Sequence, residues 1–205
     1  MKLGNKEVLA MPKLPYEITN VGYLRGKGEG NWVDYLRGKG VEAEVVELHA
    51  PFWKYQSTKR AVRLSGKNVD EIWILPRTEP GANYYTWDTH FRVLLDRPLA
   101  GATKKAVAAK SKLIGQNKRL GIFGGEITDV EWVGGGIAHA LNQDTDLRMM
   151  ILDVTHFISE IRIKPAGKSA VTIRVRNREG LIRGGDVFEI YDRIAKHVRE
   201  VVSTY

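Results

Sequence analysis

Apolar and polar positions follow their most regular pattern between residues 151 and 205. Phe157, Ile161 and Ile163 alternate with Ile158, Glu160, Arg162 and Lys164, and Val171, Ile173 and Val175 alternate with Thr172, Arg174 and Arg176. Period-two alternation marks a strand with one buried face. Pro165-Ala166-Gly167-Lys168 lies between the runs and has the composition and length of a hairpin turn. Beyond Gly184-Gly185, Asp186 is placed to cap a helix, with Val187, Ile190, Tyr191, Ile194, Val198, Val201 and Val202 on one face. The predicted unit is β-β-α. Its helix residues are expected to bury against Ile161, Ile163, Val171, Ile173 and Val175.

The pattern is less regular upstream. Residues 6–11 and 16–25 predict short strands separated by Pro12 and Pro15. Tyr23-Leu24-Arg25-Gly26-Lys27-Gly28 recurs twelve residues later as Tyr35-Leu36-Arg37-Gly38-Lys39-Gly40. Two copies do not make a solenoid. The second copy is expected to end a short helix over 31–37, stopped by Gly38. The two Gly-Lys-Gly loops read either as phosphate-approaching backbone or as plain turns with exposed lysines. A strand is expected over 41–49. Next comes a helix from Ser57 or Thr58 to Ser65, with a hairpin over 61–75 as its alternative. Further strands are expected over 69–75 and 91–95, and the helix–strand alternation predicts some parallel pairing. Residues 99–114 read as a lysine-rich helix with Leu99, Ala102, Ala106, Leu113 and Ile114 on its apolar face. Lys110 falls on that apolar face, either as a reactive lysine or as a snorkelling one. Residues 120–123 and 127–133 predict a hairpin about Gly124-Gly125, and 137–141 a helix start.

The expected fold is α+β, with a mixed or antiparallel sheet, a C-terminal β-hairpin and a packed amphipathic helix. The chain divides into a part over 1–118 ending in a basic helix and a part over 119–205, or forms one continuous domain.

Composition adds the charge. The 205 residues are 43% hydrophobic and 27% charged, values ordinary for a globular protein, and the net charge is +8. Residues 97–125 hold Arg97, Lys104, Lys105, Lys110, Lys112, Lys118 and Arg119 with no acid, while 126–153 hold six acids and only Arg148. Segregation of this kind allows a basic surface, or acidic and basic segments that pair in space. No run approaches the roughly 18 apolar residues of a membrane span, and the N-terminus lacks an apolar signal core. A cytoplasmic location without membrane contact is the expectation.

Three functions are weighed. The first is binding of a polyanion such as RNA or DNA. Arg162, Lys164, Arg174 and Arg176 are expected on the polar face of the hairpin, extended by Lys104, Lys105 and Lys112 on the basic helix. The second is a small-molecule transferase with a phosphate-bearing cofactor at Gly134-Gly135-Gly136, where a strand, a glycine loop and a helix N-terminus meet. That order resembles the cofactor loop of acyl-CoA N-acyltransferases, in which Arg or Gln precedes two residues, Gly, one residue and Gly or Ala. Gly136-Ile137-Ala138 fits the end, whereas Val133 stands where Arg or Gln belongs; the resemblance covers about ten residues. The third is an oligomeric scaffold. Residues 76–90 read as a long loop whose Tyr84, Tyr85, Trp87 and His90 suit either base stacking or a homo-oligomer interface.

Other chemistry finds no motif. There is no cysteine, and His49, His90, His139, His156 and His197 are scattered. Asn142, Asp144, Asp146 and Asp153 imitate a calcium loop, but Leu147 occupies the turn-glycine position. No resident cofactor or metal is nominated, and the question of an enzyme stays open.

Overall fold

A computed structural model describes residues 32–47, 60–78, 85–115, 127–154, 158–177 and 187–205. Its core element is one eight-stranded sheet in the order β1-β2-β3-β4-β8-β7-β5-β6. The strands are β1 (Glu42–Glu47), β2 (Arg60–Ser65), β3 (Glu71–Thr78), β4 (Tyr85–Leu94), β5 (Ala109–Gly115), β6 (Ile127–Gly134), β7 (Ile158–Pro165) and β8 (Ala170–Asn177). The helices are α1 (Trp32–Gly38), α2 (Gly101–Ala106), α3 (Gly136–Gln143), α4 (Thr145–Asp153) and α5 (Val187–Thr204). Strands from both halves of the chain share the sheet, and the fold is α+β as the pattern predicts.

The C-terminal β-β-α unit forms as predicted. β7 and β8 pair antiparallel, with Ile161↔Val175 and Ile163↔Ile173 in register, and Gly167 takes φ 75° in the turn, a conformation other residues adopt at a cost. Phe188, Ile190, Tyr191, Ile194, Ala195 and Val198 of α5 are buried with Ile161, Ile163, Val171, Ile173 and Val175. Burying each such aliphatic side chain contributes about 1.5–3 kcal/mol. The Tyr191 ring stacks on Phe91 of β4 with centroids 4.0 Å apart.

Polar groups fix α5 in place. Asp192, itself buried, accepts from the Asn68 and Val69 backbone N–H groups at 2.7 and 3.0 Å and from Asn68 Nδ2 at 3.0 Å. It thereby satisfies the turn between β2 and β3. About two helical turns later, Arg199 donates to Asp70 at 2.6 Å and to the Asn68 carbonyl at 3.1 Å. Burial pushes the Asp70 carboxyl pKa up, opposed by the Leu94 N–H and by Arg199.

Several expectations are corrected. Every pairing among the described strands is antiparallel, so the parallel pairing is absent there. Its premise fails because residues 60–65 form β2, a strand with Ala61, Val62 and Leu64 buried, as in the hairpin alternative. The helix over 99–114 ends at Ala106, and the chain re-enters the sheet as β5. In β5, Ala109 and Ser111 point inward and Lys110 and Lys112 outward, so the period is two and Lys110 lies on no apolar face. The long loop is two hairpin arms: β3 runs to Thr78 and β4 begins at Tyr85. β6 pairs with β5. Residues 6–11, 16–25 and 120–123, the first repeat copy, Gly124-Gly125 and Asp186 lie outside the described residues. α1 and β1 match the prediction, while α4 had no predicted counterpart.

Candidate nucleic-acid interface

α3, α4 and α5 cover one face of the sheet, with α3 and α4 against β6 and α5 against β4 and β8. The strand residues of the other face alternate outward. Consecutive register pairs run across it: Val133↔Lys110, Lys110↔Arg162, Arg162↔Arg174, Arg174↔His90 and His90↔Trp73. Five strands thus align Lys110, Arg162, Arg174, His90 and Trp73 in one row. With about 4.8 Å between strands, the row from Lys110 to Trp73 is about 19 Å long.

A second row lies beside it. Lys164 faces Thr172, which faces Arg92, then Glu71 and Arg63. Glu71 is buried under its neighbours: it accepts from Trp73 Nε1 at 2.9 Å and Arg92 at 3.1 Å, with Arg63 3.7 Å away. The Arg92 guanidinium sits 3.8 Å from the centroid of the Trp73 ring. Burial lowers the Arg92 pKa, and Glu71 opposes that shift. This cluster holds a flat aromatic and guanidinium surface in a fixed orientation.

Charge is unevenly balanced over the face. Lys112 pairs with Glu131 at 3.8 Å. Glu160 grips Arg162 through two contacts, one of them 2.9 Å long. Lys110 and Lys164 are exposed and have no ion-pair partner among the described residues.

The predicted site residues divide accordingly. Arg162, Lys164, Arg174 and Lys112 share the open face; Arg176 is the register partner of Glu160, its side chain outside the described residues. Lys112 reaches that face from a strand, not from the predicted helix. Lys104 and Lys105 lie on α2, which packs on α3 and α5, so they belong with the helical layer. Of the aromatic set, His90 is in the central row. Tyr85 and Trp87 lie on β4, their side chains outside the described residues along with Tyr84. Trp73, Arg92 and Arg63 escaped the sequence reading, although Trp73 and Arg63 alternate with buried Ile72, Val62 and Leu64, and that spacing marks their face.

Gly134, Gly135 and Gly136 join β6 to α3 where backbone passes backbone. A Cβ on Gly134, which has φ 140°, would lie 2.4 Å from the Ala108 carbonyl oxygen, and one on Gly135 would lie 2.0 Å from that of Lys105. The Gly135 N–H donates to Ala108 at 2.7 Å. Packing therefore requires glycine at 134 and 135, whereas a Cβ on Gly136 would meet only the Tyr205 hydroxyl, at 3.8 Å.

The calcium-like residues have a structural role. Asp144 caps α4 through the Leu147 N–H at 3.0 Å, receives a bidentate fork from Arg193 at 2.7 Å and contacts His197 Nε2 at 2.8 Å. Burial raises its pKa, but the hydrogen bonds from Arg193, His197 and Leu147 outweigh that and hold it well below the usual carboxylate range.

No helix among the described residues is long and apolar enough to cross a membrane. No family model, curated protein or solved structure matches the chain.

Proposed function

We propose that the open face of the sheet binds nucleic acid. The observation that carries this reading is the row Lys110, Arg162, Arg174, His90 and Trp73 on consecutive strands. Like charges on neighbouring strands destabilise a sheet unless an anion offsets them. Glu160 offsets Arg162 in the free protein; a phosphate backbone laid across the row adds anions for the exposed Lys110 and the neighbouring Lys164, and its bases find a stacking surface in Trp73 with Arg92. Phosphate contacts carry no sequence information directly, so the selectivity expected is for polyanion over neutral ligand, with little preference among sequences.

The test is a fluorescence titration of labelled single- and double-stranded RNA and DNA at low salt. Wild-type protein is expected to bind, and Lys164→Glu/Arg174→Glu to bind at least tenfold more weakly. Absence of wild-type binding, or equal binding by the charge-reversed protein, refutes the reading.

A further inference from the structure

We infer that the groove at the end of this row holds a terminal phosphomonoester, the phosphorylated end of a bound strand. The inference rests on the nucleic-acid reading of the face and assigns it a polarity. This groove has a volume of about 390 Å³ and is lined by Ala108, Lys110, Gly134, Arg162, Ile163 and Lys164, and a separate groove at β1 has a volume of about 430 Å³. The β1 groove mixes Arg37 and Arg63 with Glu42 and Glu44, so its charges offset one another. Among the described residues, the groove beside Gly134 is lined by three cations and no acid.

Its location favours an end. It sits on the short β5–β7 seam, whose register comprises only Ala109↔Ile163 and Lys110↔Arg162. Beyond Lys110 the row reaches Val133 on the edge strand β6. Val133 is apolar and β6 is the edge strand, so the row holds no cation beyond Lys110. A strand tracking the row from Trp73 therefore meets its last cations here.

Its charge favours a monoester. A backbone phosphodiester bears one negative charge, whereas a terminal phosphate bears about −1.5 to −2 at pH 7 and offers three acceptor oxygens. Lys110 and Lys164 are both without an ion-pair partner among the described residues and flank Arg162 from β5 and β7. Charge-assisted bonds from the two ammonium groups suit two of the three oxygens, and the Arg162 guanidinium, held by Glu160, adds its charge beside them.

The experiment compares one labelled single strand carrying a 5′-phosphate, a 3′-phosphate or hydroxyls at both ends, at about physiological ionic strength. One phosphorylated form is expected to bind at least fivefold more tightly than the hydroxyl form. Lys110→Ala/Lys164→Ala should bring that ratio to one, and Lys164→Arg should keep it; circular dichroism checks that each variant folds. Equal affinity for all three strands overturns the groove inference and leaves the face reading intact. Should no strand bind, the face reading fails. Glycerol phosphate then decides the groove: amide shifts at Ala109, Gly134 and Ile163 support it, and their absence overturns it.

Discussion

Arg162 and Arg174 are register partners across β7 and β8, two arginines on the same open face of one sheet. Glu160 reduces the cost by forking Arg162. Removing that carboxylate as Glu160→Gln exposes the repulsion. We expect a loss of up to about 1 kcal/mol in stability at low salt, shrinking as salt screens the pair, together with tighter polyanion binding. Chemical denaturation and titration of the variant measure both. Higher stability with weaker binding contradicts the role given to Glu160.

The second prediction concerns pH. Asp144 is held below the usual carboxylate range by Arg193, His197 and the Leu147 N–H. A depressed folded pKa contributes stability that is present above the unfolded value of about 4 and is lost as pH falls below it. Asp144→Asn should cost about 1–3 kcal/mol near neutral pH. It should also flatten the fall in stability between about pH 4 and about pH 2. Melting curves across that range check it, and an unchanged acid limb rules it out.

The third separates packing from ligand binding at the glycine run. Gly135→Ala places a methyl group against the Lys105 carbonyl, and Gly134→Ala adds a strained φ of 140°. Each should destabilise the free protein by several kcal/mol in the absence of any ligand. A normal melting temperature for both variants would refute the packing account.

Much of this fold was legible in the sequence. β7, β8 and α5 declare themselves because a period-two pattern, a turn and a period-3.6 pattern agree. Residues 99–114 misled for a physical reason: Ala102, Lys104, Lys105, Ala106, Lys110 and Lys112 suit a helix by intrinsic propensity. The sheet overrides that preference from Ala109 onward, where Ser111 Oγ accepts the Ile161 N–H at 2.8 Å from a strand fifty residues away. Likewise the α4 cap, Asp144, is completed by Arg193 on α5, and no local pattern shows that partner. Of the candidate site, the basic polar face of β7 and β8 followed from alternation. The row through Lys110, His90 and Trp73 did not, because strand order is a tertiary property.

The fourth prediction tests the core. Ile194 has no exposed surface, so Ile194→Asp buries an unpaired carboxylate and should cost several kcal/mol. Tyr191→Phe should behave oppositely. The Tyr191 hydroxyl is buried with no hydrogen-bond partner among the described residues, and burial pushes its pKa up. Its removal should leave stability unchanged or raise it by about 1 kcal/mol. Soluble Ile194→Asp with a wild-type melting temperature contradicts the packing described.

The salt dependence of strand binding tests the central claim most directly. On a single strand with hydroxyl ends, which has no terminal phosphate for the groove, contacts from Lys110, Arg162, Lys164 and Arg174 to backbone phosphates predict that log K falls with log[salt] with a slope of about −3. Replacing Lys110 and Lys164 by alanine should halve that slope to about −1.5, since two of four contacts are lost. A slope near zero for the wild type, or an unchanged slope in the double variant, contradicts binding of a phosphate backbone by this face.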